Sequence, residues 1–295
     1  MQLALSLVAA SPPALPDASE VAGALTSVGR VKEPRTLGPG ALDLLVEADA
    51  VDPVREAMEA ALAGRPVDLC VQPWAGRRKR LLVADMDSTI IGCECLDELA
   101  DYAGAKAEIA AITERAMAGE LAFEPALRER VARLAGLSSD ALERCYAERV
   151  RLNPGARTLV RTMAAHGARC VLVSGGFTFF TERVAAAAGF HDHRANRLLE
   201  SEGRLTGAVD EPILGREAKL TALNAETAAL GLDASAALAV GDGANDLAMI
   251  EAAGLGVAYR AKPLVAEQAD ARVDHADLTA LLFFQGYRAA DFVVD

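Results

Sequence analysis

The sequence predicts an α/β protein: a doubly wound parallel sheet with a helical cap inserted after its first strand, preceded by a smaller α+β domain. Three observations carry this. Four short, nearly continuous apolar runs, Leu81 to Ala84, Arg169 to Val173, Ala236 to Val240 and Gly254 to Val257, alternate with helix-like stretches, the pattern of strands buried on both faces. Acidic or glycine-bearing turns follow three of those runs directly, at the edge where such sheets bind ligands. Residues 1 to 73 follow a different order of elements and carry no such turns.

The 295 residues correspond to two domains at about 150 residues each. A hydrophobic fraction of 52% against 24% charged residues excludes global disorder. The 42 acidic and 30 basic residues leave a net charge of -12, which excludes a nucleic-acid backbone as main partner. An anionic substrate therefore needs a local cation or metal.

From the N-terminus the elements read as a strand (Leu3 to Val8), a helix (Asp17 to Ser27), strands near Val31 to Leu37 and Leu42 to Glu47, a helix (Asp52 to Leu62) and a strand (Val67 to Val71). The order βαββαβ is that of a ferredoxin-like sandwich. With no catalytic cluster, residues 1 to 76 are assigned to regulation, oligomerisation or stability. The basic run Ala75-Gly76-Arg77-Arg78-Lys79-Arg80 reads as a solvated linker, and the second domain, 77 to 295, begins there.

Between the first and second central strands, residues 92 to 153 are rich in helix formers with apolar spacing at Leu121, Leu127, Val131 and Leu134, a helical cap. Helices Gly155 to His166, Phe179 to Ala188, Arg216 to Leu230 and Asp246 to Ala253 supply the crossovers. Asn196 to Val209, with Ser201-Glu202-Gly203 at its middle, reads as a hairpin.

Cys70, Cys93, Cys95, Cys145 and Cys170 have no CxxC pairing and no accompanying histidines, so free thiols in a reducing, cytoplasmic setting are expected. The apolar start, Met1 to Ala10, lacks a basic leader and stops at Ser11-Pro12-Pro13, so no signal segment is expected. No run reaches the length of a membrane helix. The dispersed histidines, His166, His191, His193 and His275, receive no role, and His191 and His193 read as exposed turn residues.

The chemistry concentrates at the strand ends. Asp85 and Asp87 in Asp85-Met86-Asp87-Ser88-Thr89 follow the first central strand and can point to one side. Paired carboxylates are comfortable only around a cation or a shared proton, and oxygen-only donors suit Mg²⁺. Val173-Ser174-Gly175-Gly176 brings a hydroxyl and exposed N–H groups to the same edge, suited to phosphate oxygens. Gly241-Asp242-Gly243-Ala244-Asn245-Asp246 adds acids beyond a third strand, and Lys219 lies on the preceding helix.

The ordered set Asp85-x-Asp87-x-Thr89, Ser174, Lys219 and Gly241-Asp242-Gly243-x-Asn245-Asp246 resembles the haloacid dehalogenase (HAD) superfamily of phosphotransferases, with its Rossmann-like core, over residues 77 to about 260. Asp-Met-Asp-Ser-Thr, Glu94, Gly119-Glu120-Leu121-x-Phe123 and Leu127-Arg128-x-Arg130-Val131 are similar to its phosphoserine phosphatase branch. The front domain resembles small amino-acid-sensing (ACT-like) domains in element order only.

The resemblance implies a cytoplasmic Mg²⁺-dependent phosphatase of serine biosynthesis acting on a small phosphorylated amino acid, without nucleic-acid or membrane partners and with room for a homodimer. It implies Asp85 as nucleophile, Asp87 as general acid and base, and a metal held by Asp85, Asp242 and the backbone carbonyl of Asp87. Ser174, Gly175, Lys219 and Asn245 would hold the phosphoryl group, and Asp246 would position Lys219 or the metal shell. Glu94 and Arg130 would take the substrate's ammonium and carboxylate, with Met117 and Phe123 as an apolar lid. Two alternatives stand beside it: a phosphatase or phosphotransferase for another small metabolite, and an amino-acid sensor on an inactive phosphatase-like scaffold.

Overall fold

In the computed structural model, which describes residues 1–117 and 120–294 with the side chains of Glu33 and Met117 left aside, two main sheets organise the chain. The first contains β1 (Gln2–Ala9), β2 (Gly29–Gly38), β3 (Ala41–Ala48) and β4 (Val67–Pro73), with α1 (Ala18–Ala24) and α2 (Val51–Ala61) as its crossovers. Its spatial order, β2-β3-β1-β4, is antiparallel throughout, the ferredoxin-like arrangement expected from βαββαβ. Asp17 caps α1 by accepting from the N–H groups of Ser19 and Glu20, while the Glu20 carboxylate accepts from the Asp17 N–H, a reciprocal box that fixes the helix start.

One face of this sheet packs Leu3, Leu5, Leu7 and Leu44 against Val21, Leu25, Val54 and Met58 of its helices. The other face sends Val8, Leu37, Ala41 and Cys70 into the core shared with the second sheet. Burial on both faces explains why β1 is apolar along nearly its whole length.

The second sheet is parallel, in the order β12-β11-β10-β5-β6-β7. Its strands are β5 (Leu81–Ala84), β6 (Arg169–Phe177), β7 (Asp192–Asn196), β10 (Ala237–Gly241), β11 (Leu255–Tyr259) and β12 (Ala271–Val273). The four central strands are those expected. The edge strands β7 and β12 are additional, because Asp192–Asn196 is polar and Ala271–Val273 is only three residues long, so neither shows the apolar run of a central strand. His193 accordingly lies in β7 rather than in a turn. The order turns at β5, flanked by β6 and β10, and the carboxyl ends of these three strands meet at the topological switch point.

Helices α3 (Cys95–Tyr102), α4 (Lys106–Met117), α5 (Phe123–Ala132) and α6 (Asp140–Arg149) form the insertion after β5. α7 (Ala156–Ala165), α8 (Thr178–Ala188), α9 (Ala218–Ala229), α10 (Leu247–Ala252) and α11 (Pro263–Gln268) cover the sheet, and α12 (Ala280–Phe284) closes the chain against β1. The hairpin β8 (Leu198–Ser201) and β9 (Arg204–Val209) turns through Glu202 and Gly203, at φ 50° and 73°, a two-residue left-handed turn rather than a three-residue link. It docks on the cap through Gly136 N–H to Leu205 O and Leu205 N–H to Leu137 O.

The basic run at 77–80 is solvated only at Arg78 and Arg80. Arg77, 8% exposed, pairs with the fully buried Asp43 at 2.7 and 3.1 Å and stacks over Trp74. Lys79 is also buried and donates to the carbonyls of Ser235 and Gly254. Arg77 ties the start of the second sheet to the first, helped by Asp68, which accepts from the N–H groups of Asp274, His275 and Ala276. No spacing rule pairs residues 34 positions apart, so this role is invisible in sequence.

Candidate active site

Asp85 lies one residue beyond β5, with its N–H donating to Val240 O. The chain then turns sharply through Met86–Ile90, with Ser88 at φ 57°, so the strand cannot continue into the cap. Lys219, in the first turn of α9 and 3% exposed, donates to Asp85 Oδ1 at 2.6 Å and to Asp246 Oδ1. Asp246 Oδ2 accepts from the N–H groups of Asp242 and Gly243, so one carboxylate both holds the β10 loop and orients the lysine. Glycine is required at 241 because a Cβ there would fall on the Asp246 carboxylate.

Carboxylate oxygens of Asp85, Asp242 and Asp246 lie within 4.8 Å of one another. Three carboxylates share the Lys219 ammonium, with Lys262 acting on Asp242 from farther off, and Thr89 Oγ1 reaches Asp242 at a long 3.5 Å. The cluster is short of positive charge, and hard oxygen donors fit a hard divalent cation. Burial first, and then the Asp246 charge, raises the Asp85 carboxyl well above its ordinary range, with Lys219 opposing. Asp242 is raised for the same two reasons. Burial pulls the Lys219 ammonium down, but Asp246 and Asp85 outweigh it and hold it above its usual value.

The Asp87 side chain takes partners outside this cluster. Its Oδ1 accepts from the Cys95 N–H at 2.9 Å, at the start of α3, and its Oδ2 accepts from Ser174 Oγ at 3.0 Å. Burial raises the Asp87 carboxyl, opposed by the hydrogen bonds from Cys95 and Ser174. Two acids two residues apart thus occupy unlike surroundings, one in an ion cluster and one among neutral donors. Ser174 Oγ also accepts from the Gly176 N–H at 2.8 Å, and a Cβ at 176 would press on both Asp87 and Ser174.

Over the site, the Phe123 ring rests against Gly175 and Gly215. Glu94 accepts from Ser88 Oγ at 2.6 Å, and its carboxyl is pushed up to about 7 by withdrawal from water and by Asp87. Half-buried Arg130 donates through Nε to Ala126 O, with Asp97 and Glu94 as its acidic neighbours. Asn245 folds its side chain over Gly243. The Met117 side chain and Gly119 lie outside the described residues.

The structure therefore gathers Asp85, Asp87, Ser174, Gly175, Lys219, Asp242, Asn245 and Asp246 at one sheet edge, with Glu94, Phe123 and Arg130 from the insertion facing it. It makes Asp246, expected only as a support, the third carboxylate of the acidic cluster. Sequence reasoning gave no role to Asn196, which is buried and bonded to the Ser174–Gly176 turn. A polar residue ending an unrecognised edge strand offered only a weak signal.

Comparison with known proteins agrees with this geometry. A phosphoserine phosphatase of Polaromonas sp. is 48% identical over 208 residues, 69% of this chain and 88% of that protein. A HAD family hydrolase of Salmonella enterica serovar Typhi superposes with a TM-score of 0.84 at 28% identity, covering 96% of this chain and 98% of that one. A structure of a phospho-aspartyl intermediate analogue of phosphoserine phosphatase superposes with a TM-score of 0.64 at 36% identity, covering 70% of this chain and 98% of that one. The profile of the haloacid dehalogenase-like hydrolases matches residues 82–251, the span that carries every strand end just described, and the chain belongs to that family.

Proposed function

We propose that the protein is a phosphoserine phosphatase, hydrolysing O-phospho-L-serine to L-serine and phosphate through an aspartyl-phosphate on Asp85. The observation that carries this reading is the division of labour between the two acids. Asp85 bonds to Lys219 and faces the acidic cluster, whereas half-buried Asp87 bonds to Ser174 and the start of α3.

In the first half-reaction an Asp85 carboxylate oxygen attacks phosphorus while Asp87 gives its proton to the departing serine oxygen. An acyl phosphate forms and the phosphoester bond breaks. In the second half, Asp87 takes a proton from water, whose oxygen attacks phosphorus, and Asp85 leaves as a carboxylate. Burial raises the Asp87 carboxyl, the direction a proton donor needs, while Lys219 opposes the same effect at Asp85, which attacks as the carboxylate. Lys219, Ser174 and the Gly175 backbone would grip the phosphoryl oxygens, with Asn245 at their side. Arg130 would take the substrate carboxylate and Glu94 its ammonium, under a lid of Phe123 and Met117.

The acidic cluster fits Mg²⁺, which Asp85, Asp242 and the Asp87 carbonyl would hold and which would supply neutralisation of charge between carboxylate and phosphoryl oxygens. Asp246, also in that cluster, would position both Lys219 and the β10 loop. The ferredoxin-like unit, residues 1–76, would stabilise or regulate the phosphatase portion, 77–295. Five free thiols support a cytoplasmic setting, and among the described residues no helix is long and apolar enough to cross a membrane.

The test is phosphate release from phosphoserine with and without Mg²⁺, with Asp85→Asn as the comparison. Release is expected only from the wild-type protein with metal, and quenched turnover should leave the label on Asp85. Equal release from Asp85→Asn, or a label on another side chain, would overturn the scheme.

A further inference from the structure

Asn196 ends β7, 2% exposed, and its side-chain hydrogen bonds go to backbone in the β6 bulge and in the loop before α9. Its Nδ2 donates to Gly175 O at 2.9 Å and to Leu214 O at 3.3 Å, and its Oδ1 accepts from the Leu214 N–H at 2.8 Å. The two carbonyls fix the amide orientation, since a flipped amide would set its oxygen against both of them.

The position matters because the β6–β7 register breaks here. Val173 pairs with Arg194 and Phe177 with Asn196, so the Ser174–Gly176 bulge falls outside the ladder. The Asn196 amide replaces the missing rung at Gly175 O. The same peptide unit is held at its other end, where the Gly176 N–H donates to Ser174 Oγ, and that hydroxyl donates to Asp87 Oδ2. One unbroken chain of hydrogen bonds therefore runs from Asn196 through the Gly175–Gly176 peptide and Ser174 to Asp87.

The second arm reaches the other half of the site. Leu214 is bound to Asn196 by both of its backbone polar groups, like a strand residue. It is followed by Gly215, whose carbonyl accepts from the Ala218 N–H at the entry to α9 and Lys219. Phe123 rests on Gly175 and Gly215 together, so the two loops that Asn196 joins form one platform beneath the cap.

We propose that Asn196 is a positioning residue for phosphoryl transfer. It locks the Ser174–Gly176 turn to the loop leading into the Lys219 helix, so that the hydroxyl and the ammonium close on the phosphoryl group as one rigid cradle. The inference rests on the phosphatase reading and deepens it. Because the cradle is needed most when charge moves onto the phosphoryl oxygens, its loosening should appear in kcat more than in KM.

The experiment compares wild type, Asn196→Ala and Asn196→Asp by steady-state turnover of phosphoserine, by calorimetric titration with orthovanadate in Mg²⁺, and by thermal unfolding. The aspartate variant keeps the volume and the acceptor for the Leu214 N–H but turns a carboxylate toward two carbonyls. It carries the test if the alanine variant does not fold. Folded variants should lose at least about tenfold in kcat and a similar factor in vanadate affinity, with KM within about threefold. A folded variant within twofold of wild type in both kcat and vanadate affinity would overturn the proposal, as would a loss confined to thermal stability. If wild type releases no phosphate from phosphoserine, the functional reading fails, and the vanadate titration, which needs no turnover, decides the positioning role by itself.

Discussion

Replacing Lys219 with methionine removes one charge and almost no volume, and the structure sets the size of the effect. At 2.6 Å from Asp85, the ammonium gains about 6 kcal/mol of Coulomb attraction at an effective dielectric of about 20. Much of this is offset by the cost of taking the ions out of water. With Lys219 gone, Asp85 and Asp246 are left buried against each other without a counter-charge, and stability should fall by about 3–5 kcal/mol in EDTA. That corresponds to about 6–10 °C in Tm for a chain of this size. With saturating Mg²⁺ the loss of a phosphoryl-oxygen donor should lower kcat by about 10²–10³. Calorimetry in EDTA and steady-state turnover in Mg²⁺ read the two effects separately. A Lys219→Met enzyme with kcat within tenfold of wild type would refute the assignment of Lys219 to the transferring group. An unchanged Tm would refute the electrostatic account of the cluster.

Arg130→Ala should raise KM for phosphoserine by about tenfold or more, the scale of a lost charge-assisted bond, and leave an aryl phosphate without a carboxylate nearly untouched; equal losses on both substrates would argue against a carboxylate contact. The Glu94 carboxyl sits at about 7, raised above its ordinary value, so its protonated form dominates below that pH and its ionised form above. KM for phosphoserine should therefore rise as pH falls from about 8 to about 6, and Glu94→Gln should flatten that dependence while raising KM at the alkaline end. Arg77→Met should cost about 3 kcal/mol by leaving the buried Asp43 with Arg35 and Ser6 alone, visible as a lower Tm. Turnover per folded molecule should stay unchanged, because the pair lies between the sheets and not at the strand ends.

Within the site, local sequence was most informative where chemistry is confined to one turn. Asp85, Ser174 and Asp242 each follow a strand whose apolar run marks it as buried, so their convergence at one sheet edge follows from alternation and parallel topology. Lys219 carried no such mark. It becomes a site residue only because α9 enters at the switch point with its first turn between Asp85 and Asp246. Asp246 read as a helix-start acid, and its second function, bonding back to the N–H groups of Asp242 and Gly243, requires the loop to double over Gly241.

What the sequence determined by itself is the set of elements and the chemical groups at their ends. Strand and helix periods, turn residues and cap signals are local properties, set by steric and hydrogen-bonding rules that act over a few residues. Tertiary structure alone decided which distant groups share a dry pocket and what each one faces there. It bonded Asp87 to Ser174, drew Arg77 across 34 positions to Asp43, and set Asn196 against a carbonyl 21 residues away. Such partners are selected by the packing of whole layers, and a buried charge or amide must take the partner that packing brings, because leaving it unpaired away from water costs more than any local preference can supply.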